Sequence, residues 1–271
     1  MPTNKAQDAL ALAKLKALGF TDAPIRSPRR IIASASGREK TAKTHLALTA
    51  PEPIWYFNMD NGSEGVVNRF QAIGKQIYSK PIRIPKTAAQ TKHKESWDGF
   101  KEALLAVCDN NKGSGVLDTS SELYELARLA AFGKLEQVKP FHYALVNAEW
   151  QKEILQAMFD SDMTWILIHK VKPVWVNDVR TKDYEMAGFA DTGFKVQVKL
   201  STFREMGVTE DEDGNKVNNL RFGFTVDDSR LAASLIGQEF RTVLPVRDDI
   251  LVPDPVCNIE FLLNRIHGPK K

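Results

Sequence analysis

The chain has 271 residues, of which 43% are hydrophobic and 26% charged, with 2 cysteines and a net charge of +3. This suits a folded core of one large domain or two small ones, and it excludes wholesale disorder, a disulfide-stapled scaffold and nucleic-acid binding by bulk charge alone. No apolar run exceeds residues 103–108, far short of the roughly 20 residues of a membrane span, and the opening MPTNKAQDAL lacks a secretory pattern, so the expectation is a cytoplasmic, non-membrane protein.

In chain order, the Ala-, Leu- and Lys-rich stretch 4–18 predicts a short helix closed by Gly19. Residues 21–30, with Pro24 and Pro28, predict an exposed connector, and its Arg26, Arg29 and Arg30 form a weak basic patch able to reach a neighbouring subunit. Residues 31–34 predict a strand entering the polar turn 36–41, and a brief helix over 43–50 ends at Pro51. The aromatic run 54–59 predicts a strand that runs into the turn Asp60-Asn61-Gly62. A helix is predicted over 64–77 from Val66, Val67, Phe70, Ile73 and Ile77, then a short strand over 82–84 and a polar loop over 86–95.

Trp97, Phe100, Leu104 and Val107 predict a helix over 96–109, and the short strand 115–117 closes on Asp118. Helices are predicted over 122–132 and 144–159, and TWILI, residues 164–168, reads as a buried strand. Strands and helices alternating in this rhythm imply a mostly parallel α/β sheet. After residue 190 the texture changes. Alternation over 194–203 and a second β-like run over 220–226 predict a hairpin with a charged tip at 210–216, followed by a helix-like piece at 229–240.

Within this pattern, Gly37-Arg38-Glu39-Lys40-Thr41-Ala42-Lys43-Thr44 fits G-x-x-x-x-G-K-T, except that Ala42 stands where the second glycine belongs. Such a loop turns successive backbone N–H groups toward phosphate, with Lys43 on the β and γ phosphates and Thr44 on Mg²⁺. The plainer alternative is a basic loop before a helix, with Lys43 solvated. Val116-Leu117-Asp118-Thr119 adds an apolar strand closing on a carboxylate suited to the metal, although Asp118 taken alone also reads as a helix N-cap with Glu122 completing a capping box.

With these motifs the sequence resembles the RecA-like P-loop ATPases found widely in phage genomes, a group that includes single-strand-annealing recombinases. The resemblance rests on residues 31–62 (IIASASGREKTAKTHLALTAPEPIWYFNMDNG), extends through 97–107, 115–126 and 164–188, and so spans about 30–200. It implies an α/β, RecA-like P-loop NTPase core over 30–200, a mostly parallel sheet flanked by helices. An N-terminal helix and connector (1–29) would precede it, and a β-hairpin with a C-terminal extension (201–271) would follow.

The resemblance also implies ATP and Mg²⁺ as cofactors. Residues 37–44 would cradle the nucleotide, Thr44 and Asp118 would hold the metal, and Asp60 or Glu122 would activate water. Turn formation for Asp60 and helix capping for Glu122 are the plainer readings. His169 ends the most hydrophobic strand, where the family keeps a polar sensor of the γ-phosphate, and a neutral imidazole could donate to it. After it come Lys170, Lys172, Trp175, Arg180, Lys182 and Tyr184, where the family contacts single-stranded DNA through cations and aromatic faces. A solvated charge run is the alternative there. The expectation is a Mg-dependent ATPase of phage DNA recombination or replication, with single-stranded DNA as partner and assembly into a homo-oligomer. A nucleotide-binding scaffold and a packaging ATPase are the alternatives, and Ala42 bears on turnover more than on fold.

Overall fold

A computed structural model of the chain describes residues 12–21, 28–59, 63–86, 89–134, 139–210, 213–242 and 254–269. The strands are β1 (Ile32–Gly37), β2 (Ile54–Asn58), β3 (Ile77–Pro81), β4 (Ser114–Asp118), β5 (Thr164–His169), β6 (Val171–Val176), β7 (Val179–Met186), β8 (Val198–Glu210), β9 (Lys216–Ser229) and β10 (Glu239–Arg241). All but β6 and β7 form one eight-stranded sheet in the order β10-β9-β8-β1-β5-β4-β2-β3. The six strands from β8 to β3 in that order run parallel, and only β9 and β10 are antiparallel to their neighbours. The protein is therefore a mixed α/β fold with a large, mostly parallel sheet flanked by helices.

A short helix, α1, is described over 12–17. One face of the sheet is covered by α2 (Lys43–Ala47), α3 (Glu64–Ala72) and α9 (Ile259–His267). The other is covered by α4 (Gln90–Asn110), α5 (Ser120–Phe132), α6 (Tyr143–Glu149), a π-helical stretch Trp150–Leu155 and α7 (Gln156–Asp160). A single turn, α8 (Thr192–Lys195), leads into β8. Central strands covered on both faces must be apolar on both faces. Accordingly Ile166 and Ile168 of β5 join the α2 side while Trp165 and Leu167 join the α4 side. No described helix is long and apolar enough to cross a membrane.

Several element boundaries differ from the sequence reading. The helix predicted over 64–77 stops at Ala72, since Gly74 takes a left-handed φ of 91°. Ile77 instead opens β3, pairing with Ile54, and so the strand expected at 82–84 lies earlier. Part of the predicted loop 86–95 is the first turn of α4, which Gln90 ties to the carbonyls of Ala130 and Ala131 at the end of α5. The helix-like piece 229–240 is a 3-10 turn, Ala233–Leu235, followed by the edge strand β10, whose Phe240 stacks on Phe224 of β9.

The sequence reading did not anticipate α9. Asn258 caps it by accepting from Phe261 N at 2.6 Å, and Ile259, Leu262 and Leu263 are buried beneath it. Of the connector arginines expected to form a patch, Arg29 is exposed and Arg30 is buried. Arg29 donates to Asn264 and Gly268 around α9, while the buried Arg30 donates to the carbonyls of Met158 and Phe159 in α7. Burial lowers the Arg30 pKa, offset in part by Asp162 and Asp160. Arg26 lies outside the described residues. The hairpin β8–β9 continues the main sheet, because β8 pairs with β1 over residues 198–202 before running on into its turn.

Candidate functional site

The loop from β1 into α2 begins at a glycine that nothing else could replace. A Cβ on Gly37 would lie 2.2 Å from the Thr202 hydroxyl of β8. Thr41 closes the loop by donating to the Arg38 carbonyl at 2.8 Å, and its hydroxyl meets that of Thr202 at 2.7 Å. Lys40 and Ala42 are both left-handed, with φ of 57° and 61°, on either side of Thr41. Alternation of this kind turns backbone N–H groups toward a common point and favours anions. It also explains the glycine of the motif, since a left-handed residue bearing a Cβ is strained by about 1–2 kcal/mol. Lys43 Nζ stands over the loop, donating to the carbonyls of Gly37 at 2.9 Å and Arg38 at 2.7 Å.

From β1 the chain turns into α2 on one face, and from β4 into α5 on the other, at the carboxyl edge of the sheet, the edge at which open α/β sheets bind ligands. There Thr44 Oγ1 donates to Asp118 Oδ2 at 2.6 Å, and the buried Tyr56 hydroxyl of β2 donates to the same oxygen at 2.7 Å. The donor set is a hydroxyl and a carboxylate, hard oxygens of the kind Mg²⁺ takes from a protein while water and phosphate complete its octahedron. These residues fit that ion. Asp118 is not the helix cap that its position suggested: Thr119 caps α5, accepting from Glu122 N at 3.2 Å.

The other predicted residues divide between this edge and its surroundings. Asp60, with Asn61 and Gly62, lies outside the described residues. Glu122 accepts from the Thr119 hydroxyl at 3.2 Å and pairs with Lys170 Nζ at 2.5 Å. His169 alternates to the face of Trp165 and Leu167, opposite that of Asp118. Its ring is fully buried, and burial lowers its pKa to about 4, opposed by a hydrogen bond with Ala187 O. Because Nδ1 donates to that carbonyl at 3.0 Å, the neutral ring has only an acceptor at Nε2, which has no partner among the described residues, so the expected donation to phosphate is not available from this tautomer.

Lys170, Lys172, Trp175, Arg180 and Lys182 fall on or beside the two-stranded hairpin β6–β7, which turns at Asn177 and Asp178, both left-handed as such a turn requires. Lys172 pairs with Glu185 at 3.1 Å, and Arg180 donates to the Tyr184 hydroxyl at 3.1 Å. Trp175 is 60% exposed. The sequence reading missed Tyr56, which carried no motif to mark it. Arg38, expected among the cradling residues 37–44, places its guanidinium 4.4 Å from the centre of the Tyr184 ring, joining loop to hairpin. Comparison with protein-family models and with curated protein sequences finds no match for this chain.

Proposed function

We propose that this chain binds ATP with Mg²⁺ on residues 37–44 as a RecA-like P-loop ATPase. The observation that carries the reading is the 2.6 Å hydrogen bond from Thr44 to Asp118, which joins the last residue of the loop to a carboxylate 74 residues away on another strand. Held by Thr44 and Asp118, Mg²⁺ would neutralise charge on the phosphates. The loop's N–H groups receive the phosphate oxygens, and Lys43 transfers its donors to them from the Gly37 and Arg38 carbonyls. Tyr56 keeps the Asp118 carboxylate oriented toward Thr44 through its own hydrogen bond.

The resemblance supports a role in phage DNA recombination or replication, and assembly into an oligomer. Single-stranded DNA would meet the β6–β7 hairpin, where the exposed Trp175 lies across from Arg180 and near Lys182, offering a stacking face and cations together. A second reading, a nucleotide-responsive scaffold with little turnover, is favoured by one observation: Glu122 and His169 are both engaged with other groups, Lys170 and the Ala187 carbonyl.

The test compares ATP binding and hydrolysis, with and without single-stranded DNA, in the wild type and in Lys43→Ala. The expected result is turnover that DNA raises and that falls on the order of 100-fold in the variant, the effect of removing a preorganised charge-stabilising donor. ATP binding without turnover would move the protein to the scaffold reading. Neither binding nor turnover would sink the P-loop reading.

A further inference from the structure

The ribbon of β8 and β9 runs past the rest of the sheet. β1 accompanies β8 only as far as Gly37 opposite Thr202, whereas β8 and β9 stay paired to Glu210 opposite Lys216. Within the sheet, one face of the ribbon belongs to the core. Val198 and Leu200 of β8 and Phe224 and Val226 of β9 are buried there, in the layer that α2, α3 and α9 cover. Side chains alternate along a strand, so Met206, Val208 and Leu220 lie on that same face farther out. They are 67%, 55% and 39% exposed, and Met206 pairs directly with Leu220. The apolar face therefore continues after its helical cover has ended, and a contiguous apolar strip rimmed by polar residues marks an interaction surface.

The chain also holds an apolar helix that buries nothing. Leu12 and Leu15 lie one turn apart on α1, Leu18 and Phe20 follow at its end, and every residue from 12 to 21 is exposed. By helical spacing, Lys14 and Lys16 fall on the two sides of the leucine stripe. Residues 12–21 carry these two lysines and no acid, while the turn of the ribbon, residues 210–216, reads EDEDGNK, four acids against one lysine. A leucine stripe with cationic borders is complementary to an apolar strip that ends in an acidic turn. The leucines cover Met206, Val208 and Leu220, and the lysines meet the acids.

The two surfaces belong to opposite edges of the sheet. α1 leads into Arg29 and Arg30, which are anchored on α9 and α7 where β1 begins, and the ribbon projects from the edge where β1 ends. Gln197 of the chain donates to the Ile32 carbonyl, so Met206 stands about 30 Å beyond the start of β1. The chain from Phe20 to Arg29 spans no more than about 30 Å even fully extended. A copy's own ribbon is thus reached only at full stretch, and a neighbour's ribbon makes no such demand. We propose that α1 of one copy docks on the β8–β9 ribbon of the next, covering Met206, Val208 and Leu220. The contact is head to tail, so each copy keeps a free helix at one end and a free ribbon at the other, and assembly proceeds to a ring or a filament. It gives surfaces to the oligomer that the resemblance implies, and it rests on none of the phosphate-loop chemistry.

Sedimentation velocity of the full chain across micromolar concentrations tests the contact. The wild type is expected to self-associate, and to do so less as salt rises, because lysines and acids face each other across the contact. One variant carries Leu15→Glu and Leu18→Glu, the other Met206→Glu and Leu220→Glu, and each is expected to associate about tenfold more weakly or worse. All four positions are exposed, so both variants should keep the wild-type melting temperature. Mixed in equal amounts, the two variants hold one intact helix face and one intact ribbon face between them, and they are expected to form a dimer that grows no further. Carbodiimide cross-linking of isotope-labelled with unlabelled wild type should join Lys14 or Lys16 to Glu210 or Asp213 between chains, and it decides alone if a variant melts lower. A wild type that stays monomeric, loss of association in only one variant, or no dimer in the mixture overturns the proposal. Cross-links confined to one chain overturn it too, giving the ribbon to the copy's own helix. ATP binding by the same preparations separates the two readings: a monomer that binds ATP overturns this contact alone, and an oligomer that binds none overturns the loop reading alone.

Discussion

Ala42 holds a backbone conformation that glycine adopts freely, with φ of 61° and ψ of 28° at the entry to α2. The steric penalty of about 1–2 kcal/mol exceeds the extra chain entropy of a glycine, about 0.5–1 kcal/mol, so Ala42→Gly is expected to stabilise the protein by about 0.5–1 kcal/mol. A rise in the denaturant midpoint checks this, and an unchanged midpoint would show that the loop relaxes around the alanine. His169 sets a pH dependence at the same scale. Its folded pKa of about 4 lies below the ordinary 6.5, so the unfolded chain takes up a proton first as pH falls. Its contribution is full above pH 6.5 and declines toward pH 4 by up to about 1.4 kcal/mol per pH unit. His169→Gln, which keeps an amide donor for Ala187 O, should flatten stability against pH in urea titrations across that window. Burial and Arg69 lower the His45 pKa as well, so a smaller slope should persist. The residues of the loop from Gly37 to Thr44 were legible in the sequence because their types and spacing are local. Tyr56 was not, since only folding brings its hydroxyl to Asp118.

At the scale of elements, β4 and β5 show how register and side-chain volume specify each other. Gly115 pairs with Trp165, and a Cβ on Gly115 would lie 2.2 Å from the Trp165 ring. Trp165 is fully buried, stacked on Phe57 and donating through Nε1 to Ser161 at 3.1 Å, so it has no free volume to retreat into. Gly115→Ala is therefore expected to destabilise the protein by about 1–3 kcal/mol through overpacking. Chemical denaturation followed by tryptophan fluorescence measures it, and a loss below 0.5 kcal/mol (on the order of surface substitutions) would show that the pairing shifts to make room. The buried strands were the easiest elements to read, because two covered faces leave a near-continuous apolar run. The first turn of α4 was read as loop, because its exposed polar residues hide a helix whose buried face starts at His93. The long predicted helix over 64–77 failed for the opposite reason: Ile77 has helical spacing but is held by β2.

At the scale of the molecule, the C-terminal segment belongs to the core. Ile259 N donates to Thr49 Oγ1 at 2.8 Å just beyond α2, and His267 of α9 meets the Arg30 carbonyl at 3.0 Å at the entry to β1. Three side chains of α9 are buried, each contributing about 1.5–3 kcal/mol. Their sum is comparable to the whole stability of a typical domain, about 5–15 kcal/mol. Truncation after residue 253 is accordingly expected to yield an aggregating or unfolded chain, read by sedimentation and circular dichroism. A soluble, cooperatively melting truncation would show that α9 is dispensable.

The sequence by itself determined the mixed α/β character, the buried strands at the centre of the sheet and the residue types of the loop from Gly37 to Thr44. Each of these follows from hydrophobic periodicity or from a short run of neighbours, and both are local properties. Only the tertiary structure decided the strand order, the union of Thr44, Tyr56 and Asp118 at one edge, and the turning of His169 to the opposite face. Those features depend on pairs far apart in the chain, and a one-residue change of register would exchange which side chains face each other.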